Sequence, residues 1–392
     1  MRLFAKIKNA VQEKRLVKTI LKKIYPYLKG FFLIFFDRAK EIKIFTPKER
    51  VIDKSDLPLA EKILNSYKSM KLDQDQNQNS ILYRPSSLWQ QHLDNDFKFI
   101  KEAVKKDDLE KFLYFLQNFG DWNNYLGIEN QNLIKDYSKN VFLKKFLKNE
   151  IFFGQLELWN YFNKKNLDYK KLNMPRFGNQ NGAYIEGNFV VIGSFFNEIY
   201  SQIINKYIKN DKHNIIIDLG GGYGKFAYYC LRNLKKYTFI DFDIPETLTL
   251  ATYYLSKSFP EKKVFLYGDE KLNNINIKDY DLIFLPPWEI EKIRNDSVEL
   301  VINRNSLGEM DQAAAKNYIN HIHRITKYFF SSNHEYFRNH FKNNEKSLIN
   351  SEFNMQNKFK ELIRYPDLGH LTYENNKIDM DSDIFFYIYQ KN

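Results

Sequence analysis

A short apolar run that leads into glycines at residues 215–227 constrains the fold of this chain more than any other feature. The segment reads Ile215-Ile-Ile-Asp-Leu-Gly-Gly-Gly-Tyr-Gly-Lys-Phe-Ala, which predicts a buried strand, a glycine turn and the start of a helix. In an open α/β sheet, ligands bind beyond the carboxyl ends of the strands, and glycines in the first turn let a ligand approach the backbone. We therefore predict a ligand-binding turn at Gly220, Gly222 and Gly224, with Asp218 able to face an ammonium group.

The glycine spacing separates this turn from two common nucleotide sites. A dinucleotide-binding turn requires G-x-G-x-x-G, and counted from Gly220 its third glycine would fall at Lys225. A P-loop requires its second glycine at that same position. The remaining pattern is D-x-G-x-G-x-G, and taken alone such a turn also occurs for purely structural reasons.

The next strand supplies an acid at the expected place. Tyr237-Thr-Phe-Ile-Asp-Phe-Asp-Ile-Pro ends in Asp241 and Asp243, and Asp243 follows Gly224 by 19 residues. An acid here can accept both hydroxyls of a cofactor ribose. The alternative is that Asp243 caps the helix that Pro245 begins. Of the two acids, we favour Asp243 as the ribose-binding residue.

Similar apolar runs continue to the end of the chain, most of them separated by helical patterns. They begin at Val264, Leu282, Leu300, Lys327 and Ile384. This alternation predicts an α/β domain with a mostly parallel sheet covered on both faces. We expect it to span residues 190–392, with its first helix at 195–208, behind a largely helical domain at 81–189. Residues 1–80 are predicted to be a basic amphipathic leader followed by a polar linker at 73–80.

The positive charge is concentrated in the leader. Residues 1–43 carry twelve basic and three acidic groups, so they account for most of the formal charge of +12. The rest of the chain is nearly balanced, which argues against nucleic-acid binding. The leader can lie on an anionic membrane surface, or pack its apolar stripe on the next domain or a partner. The single cysteine and the lack of a signal-peptide pattern predict a cytoplasmic protein.

Several segments resemble known O-methyltransferases. Asp218-Leu-Gly-Gly-Gly-Tyr-Gly followed by Phe242-Asp-Ile-Pro resembles the paired motifs of the small-molecule O-methyltransferases. The sugar O-methyltransferase family of bacterial surface-polysaccharide gene clusters is more similar, over roughly residues 81–392. That likeness rests on Asp241-Phe-Asp-Ile-Pro-Glu-Thr-Leu, Asn303-Arg-Asn-Ser-Leu-Gly-Glu-Met, Ser86-Ser-Leu-Trp and Phe177-Gly-Asn-Gln-Asn-Gly.

The resemblance implies a fold, a cofactor and a reaction. The fold would be a Rossmann-like class I methyltransferase domain with a mostly parallel seven-stranded sheet. The cofactor would be S-adenosyl-L-methionine, bound by Asp218, the three glycines and Asp243. The acceptor would be a hydroxyl, on a sugar of a surface polysaccharide or a glycolipid.

Two residues are candidates for the base that accepts the hydroxyl proton. Glu309 follows the Leu300 run, near where plant-type O-methyltransferases carry a catalytic histidine, and this chain has Gly308 and Glu309 there. Glu309 can act as the base, hold a sugar hydroxyl, or simply face the start of the next helix. His334 follows the next strand and suits a proton acceptor, although an exposed loop histidine is the alternative.

The adenine end of the cofactor has two competing candidates. Asp269 follows the Val264 run, and Trp288 follows the Leu282 run. Both runs cannot be the third strand of the standard order, so only one of these segments is expected beside the adenine.

Two other functions remain open from the sequence. Asp241-Phe-Asp243 is a D-x-D pattern, which a metal-dependent glycosyltransferase would use to hold its metal ion. A non-catalytic scaffold built on the cofactor-binding fold is the second. Asp379, Asp381 and Asp383 resemble the start of an EF-hand, but Ile384 stands where that loop requires glycine, and we predict no metal site.

Overall fold

The computed structural model describes residues 24–25, 27–33, 42–47, 50–76, 81–95, 97–121, 142–164, 166–208, 212–342, 344–374, 377–379 and 382–392. Most of the predicted basic leader, residues 1–43, therefore lies outside the described residues. Its described part includes helical backbone at 24–25 and 27–33. In the described part of the chain, no helix is both long enough and apolar enough to span a bilayer.

Helices and strands alternate along the second half of the chain, as the sequence predicts. The helices are α1 (Leu57–Gln76), α2 (Ser87–Asn95), α3 (Lys98–Lys105), α4 (Leu109–Asn118), α5 (Phe142–Phe162), α6 (Ser194–Tyr207), α7 (Lys225–Asn233), α8 (Pro245–Ser258) and α9 (Gln312–Ile325). The strands are β1 (Ile42–Phe45), β2 (Gly182–Ile185), β3 (Asn188–Val190), β4 (Asn214–Leu219), β5 (Tyr237–Phe242), β6 (Val264–Leu266), β7 (Leu282–Leu285), β8 (Val298–Arg304), β9 (Thr326–His334), β10 (Phe359–Pro366), β11 (Thr372–Glu374), β12 (Lys377–Asp379) and β13 (Ile384–Lys391).

The main sheet confirms the predicted α/β fold. Its strand order is β10-β13-β9-β8-β4-β5-β7-β6, and β13 pairs antiparallel with both of its neighbours while the other pairs are parallel. One hydrophobic core on each face of the sheet buries its side chains. The carboxyl ends of the parallel strands therefore meet at one edge, where ligands bind in such sheets.

Among the described residues the sheet has eight strands, one more than the seven that the resemblance implies. The strand that the sequence does not reveal is β10, which forms one edge and pairs only with β13. An edge strand is not buried on both faces, and most of the β10 residues are half-buried or exposed. Its sequence therefore lacks the continuous apolar run by which the other strands were recognised.

The strand order also settles which apolar run lies beside β5. β7 pairs with β5, through partners such as Phe242 and Leu285, and β6 pairs with β7 at the outer edge. The chain thus passes through the edge strand before it returns to the inner position. The segment after β7, and not the one after β6, adjoins the end of β5.

The N-terminal part departs from its prediction in two ways. A small antiparallel sheet joins β1, from the region assigned to leader and linker, to β2 and β3, at the end of the part expected to be helical. Helix α1 lies in the region assigned to leader and linker, yet the Tyr67 hydroxyl on it donates to Glu246 of α8 at 3.1 Å. The predicted linker at 73–80 is wrong for residues 73–76, which form the last turn of α1, and residues 77–80 lie outside the described residues. Polar side chains suit that surface turn, and Asp73 accepts a hydrogen bond from the Tyr267 hydroxyl.

Candidate functional site

A cavity of about 550 Å³ lies at the carboxyl ends of the parallel strands. This volume falls within the range of roughly 300–1,000 Å³ that is usual for small-molecule sites. Its walls come from the turn after β4 and the ends of β5, β8 and β9, and residues 83–92 contribute a further side. The N-terminal part of the chain thus helps to form the cavity.

The glycine turn has a backbone that suits glycine at each predicted position. The φ angles of Gly220, Gly222 and Gly224 are +79°, +64° and +87°, in the left-handed region that other residues seldom adopt. A Cβ atom on Gly220 would lie 2.3 Å from the Oγ atom of Ser306. Helix α7 begins directly after Gly224, so its N-terminal amides follow the turn.

Asp243 joins this turn to the end of β5. The backbone N–H of Gly222 donates to its Oδ2 atom at 3.0 Å, and the N–H of Ile244 donates to its Oδ1 atom at 2.7 Å. Asp243 lines the cavity, and burial raises the pKa of its carboxyl to about 7. The residue at the N-cap of α8 is Ile244, with no side-chain cap, so the helix-capping alternative for Asp243 is not observed. The structure therefore brings Asp243, the acid predicted to bind the ribose, next to the glycine turn.

Asp218 lies at the end of β4 and also lines the cavity. Its side chain is buried, which raises the pKa of its carboxyl, while the positive charge of Arg304 opposes that rise. Among the predicted cofactor-binding residues, Asp218, Gly220, Gly222 and Asp243 line the cavity, and Gly224 ends the turn between them and α7.

The two acids of the D-x-D pattern have different surroundings. Asp241 is buried and does not line the cavity, whereas Asp243 does. Burial and the neighbouring Asp243 hold the pKa of the Asp241 carboxyl well above its usual range. Across the described ranges, no group of three or more His, Cys, Asp and Glu side chains has an arrangement that could hold a metal ion.

Asp269 lies apart from the other predicted cofactor-binding residues. It is exposed, is not part of the cavity lining, and accepts a hydrogen bond from the Leu266 backbone N–H at 3.1 Å. The reason is the strand order, which places β6 at the outer edge. The cavity wall beyond β5 is instead formed by Phe242, Ile244 and Pro287. Of the two competing segments, the one after β7 therefore reaches the site, through Pro287 rather than Trp288.

Glu309 lines the cavity and contacts the N-terminal part of the chain. The Nε1–H of Trp89, on α2, donates to its Oε2 atom at 2.8 Å. Burial raises the pKa of the Glu309 carboxyl, and its charge in turn raises the pKa of Asp243. Trp89 belongs to the Ser86-Ser-Leu-Trp segment quoted above, whose contact with Glu309 the sequence does not reveal.

His334 is the last residue of β9 and lies at the cavity wall. Its Nδ1 atom is 2.6 Å from Oδ2 of Asp383, and the Asp383 carboxylate also accepts from the backbone N–H groups of Tyr336 and Phe337. A Cβ atom on Gly308 would lie 3.5 Å from Cδ2 of the His334 ring. His334 therefore stands beside the position where plant-type O-methyltransferases are expected to carry their histidine.

Comparison with known proteins gives only partial likenesses. No protein-family model matches this chain, and no curated protein matches it. The solved structure of the mitomycin 7-O-methyltransferase MmcR matches 50% of this chain and 57% of its own length, at 10% identity and a TM-score of 0.32. A TehB-like SAM-dependent methyltransferase from Corynebacterium glutamicum matches 49% of this chain and 86% of its own, at 11% identity and a TM-score of 0.32.

A SAM-dependent methyltransferase from Methanosarcina mazei has the same TM-score. It matches 48% of this chain and 96% of its own, at 14% identity and a TM-score of 0.32. This chain thus matches little more than half of the length of MmcR.

Proposed function

We propose that this chain is an S-adenosylmethionine-dependent O-methyltransferase whose acceptor is a hydroxyl group of a sugar, in surface polysaccharide or glycolipid biosynthesis. The observation that carries the proposal is the hydrogen bond between the Gly222 N–H and Asp243. It joins a glycine turn with positive φ angles to a cavity-lining acid, and together these can hold the ribose of an adenosine cofactor. The sugar is inferred from the sequence resemblance alone.

The residues of the cavity fit this cofactor. The carboxylate of Asp243 can accept hydrogen bonds from the two ribose hydroxyls. Phe242, Ile244 and Pro287 offer apolar surface for the adenine, and Asp218 can face the ammonium group. When bound, the cofactor would supply a methyl group on a positively charged sulfur. The acceptor oxygen can bond to the methyl carbon while the carbon–sulfur bond breaks, which leaves a neutral thioether and releases the hydroxyl proton to a base.

We assign the role of general base to His334. Its Nδ1–H donates to Asp383, so the neutral ring keeps an unprotonated Nε2 atom that can accept a proton. The two backbone N–H groups that bind Asp383 fix the orientation of the carboxylate and so of the ring. A positioned base of this kind contributes a factor of about 10²–10⁴ to the rate. Asp383 is a positioning residue, since it acts through His334.

We assign a binding role to Glu309. Its contact with Trp89 fixes its carboxylate at the wall formed by α2, where it lines the same cavity as Asp243. A carboxylate there can accept a hydrogen bond from a second hydroxyl of a sugar acceptor.

The basic leader supports the proposal that the protein binds peripherally to the inner face of a membrane. Ile24 and Leu28 lie one helical turn apart and are 45% and 49% exposed, beside a segment rich in lysine and arginine. Basic amphipathic helices bind anionic bilayers in this way. Co-sedimentation with phosphatidylglycerol vesicles is expected, and it should weaken in the double variant Ile24→Ser/Leu28→Ser. Equal binding to neutral phosphatidylcholine vesicles would contradict this part of the proposal.

Calorimetric titration with S-adenosylhomocysteine tests the proposed cofactor. We expect the wild-type protein to bind it and Asp243→Ala to lose about 10- to 100-fold or more in affinity, because charge-assisted hydrogen bonds are removed. Asp269→Ala is the matched comparison, since that aspartate is exposed and outside the cavity. It should bind as the wild type does.

Three results would contradict the proposal. Failure of the wild type to bind S-adenosylhomocysteine would contradict the assignment of S-adenosylmethionine as the cofactor. Equal losses in Asp243→Ala and Asp269→Ala would mean that the cavity is not the site. Binding of a nucleotide-sugar that requires manganese would favour the glycosyltransferase alternative.

A further inference from the structure

One segment that the proposed function does not use is Phe177-Gly-Asn-Gln-Asn-Gly. It lies in the N-terminal part of the chain and contributes no residue to the cavity lining. The side chain of Gln180, within this segment, is fully buried. A buried amide costs free energy unless its polar atoms form hydrogen bonds. The contacts of Gln180 therefore indicate what this segment does.

Gln180 connects the segment to the glycine turn. Its Oε1 atom accepts a hydrogen bond from the Tyr223 hydroxyl at 2.8 Å, and its Nε2 atom donates to the carbonyl oxygen of Phe177 at 2.8 Å. The second bond fixes the orientation of the amide, so that its oxygen faces the tyrosine. Tyr223 is buried and lines the cavity. A residue outside the cavity thus binds one of the residues that form its wall.

Two glycines allow the N-terminal part to approach Tyr223 closely. The φ angle of Gly178 is +83°, and a Cβ atom there would overlap the ring of Phe119. That ring packs on Tyr223, with the ring centroids 5.1 Å apart. A Cβ atom on Gly120 would lie 2.6 Å from the Cα atom of Gln180. Gln180 and Phe119 therefore fit beside Tyr223 because these two positions are glycine.

Tyr223 carries the one side chain by which the turn can be fixed. Residues 220–224 read Gly-Gly-Gly-Tyr-Gly. Glycines have more backbone freedom than other residues, so a glycine-rich turn that is not restrained samples many conformations. The Gly222 N–H, which donates to Asp243, directly precedes Tyr223. A bond that fixes Tyr223 therefore also restrains the amide that binds the proposed ribose acid.

We propose that Gln180 is a positioning residue of the cofactor site. It acts through Tyr223 and holds the glycine turn in its binding conformation before the cofactor arrives. A site that adopts its binding conformation only part of the time loses affinity in proportion to that fraction. The N-terminal part of the chain is thereby required for full affinity for the cofactor. This inference rests on the proposed function, because the ligand of the turn is the proposed cofactor.

Two variants each remove the bond between Gln180 and Tyr223. Tyr223→Phe deletes the hydroxyl, and Gln180→Leu replaces the amide by an apolar group of similar size. By calorimetry, each should weaken S-adenosylhomocysteine binding by about 3- to 10-fold, the effect of one net hydrogen bond. The double variant should bind about as weakly as either single variant, since each alone already breaks the connection. Gln180→Leu also serves as the test if Tyr223→Phe does not fold.

Tyr229→Phe is the matched control. Tyr229 is also fully buried, and its hydroxyl donates to the carbonyl oxygen of Leu172, in the N-terminal part, at 2.7 Å. It does not line the cavity. Both tyrosine variants should lower the midpoint of urea denaturation, whereas only Tyr223→Phe should weaken S-adenosylhomocysteine binding. That difference separates positioning of the turn from a general effect on stability.

Amide hydrogen exchange gives a second readout. The N–H groups of Gly222 and Gly224 donate to Asp243 and to the carbonyl oxygen of Gly221. Without ligand, both amides should exchange faster in Tyr223→Phe and Gln180→Leu than in the wild type or Tyr229→Phe. S-adenosylhomocysteine should restore their protection, because the ligand then orders the turn.

The outcomes separate this inference from the proposed function. If the wild type does not bind S-adenosylhomocysteine, the proposed function fails and this inference with it. If the wild type binds it and Gln180→Leu changes the affinity by less than about twofold, the positioning role is refuted while the cofactor site stands. The same conclusion follows if Tyr229→Phe weakens binding as much as Tyr223→Phe does.

Discussion

Replacing Gly220 by alanine tests whether the glycine turn has the packing described above. A non-glycine residue at a φ of +79° costs about 1–2 kcal/mol. The new Cβ atom would lie 2.3 Å from Oγ and 2.5 Å from Cβ of Ser306, and overpacking of this kind costs about 1–3 kcal/mol more. We therefore expect Gly220→Ala to lower the free energy of unfolding by about 2–5 kcal/mol, as measured by urea denaturation without ligand.

A double-mutant cycle divides this loss into its two causes. In Gly220→Ala/Ser306→Gly the crowding atoms are gone, so only the backbone cost of about 1–2 kcal/mol should remain beyond that of Ser306→Gly alone. Gly220→Ala/Ser306→Ala keeps the Cβ atom at 2.5 Å and should recover little. Unchanged stability of Gly220→Ala, or equal recovery with both partner substitutions, would refute the described turn.

Four further predictions concern the acids, the base and the residue that positions it. Because burial raises the pKa of Asp243 to about 7 and only the ionised carboxylate accepts from both hydroxyls, affinity for S-adenosylhomocysteine should rise between pH 6 and pH 8. That rise should be smaller in Asp243→Asn, where the likewise raised pKa of the Asp218 carboxyl still contributes, and calorimetry at each pH checks it. Trp89→Phe removes the N–H that donates to Glu309, so urea denaturation should show a loss of about 1–3 kcal/mol at pH 8. The loss should shrink as the pH falls through the raised pKa of Glu309, because the protonated carboxyl no longer needs a charge-assisted bond; a pH-independent loss would contradict this. His334→Gln should reduce methyl transfer by about 10²–10⁴-fold in a radiolabelled-methyl assay with an accepted sugar, while S-adenosylhomocysteine affinity is kept. Asp383→Asn should abolish the Nδ1-protonated tautomer of His334 in ¹⁵N NMR spectra, and an unchanged tautomer would exclude Asp383 as its positioning residue.

The parts of the site that the sequence predicts are those formed by short segments. The turn from Asp218 to Gly224 and the acid Asp243 belong to two consecutive strands of the sheet. Parallel pairing of β4 with β5 then brings their ends together. Local patterns of glycine and acid therefore predict this half of the cavity, because its geometry follows from two neighbouring strands.

Contacts between distant segments are not predictable in this way. In the sequence, Asp383 belongs only to an incomplete EF-hand pattern, yet it pairs with His334 because β13 lies beside β9. Trp89 reaches Glu309 because α2 packs at the cavity. No local sequence pattern around these residues predicts either contact.

The position of Asp269 outside the cavity lining has a similar cause. The order of two strands at an edge depends on packing, and the sequence allowed the runs at Val264 and Leu282 to be placed either way. Because β7 takes the inner position, the acid after β6 is carried away from the cavity. The residue type of Asp269 and its distance along the chain from the glycine turn are compatible with adenine binding. The outer position of β6 in the sheet places it too far from the cavity lining.

A crystal structure of the protein with S-adenosylhomocysteine tests the central claim most directly. We predict that the ligand occupies the cavity at the glycine turn, with both ribose hydroxyls bound to Asp243 and its ammonium group beside Asp218. A ligand found away from the glycine turn, or with its ribose not in contact with Asp243, would contradict the proposed cofactor site.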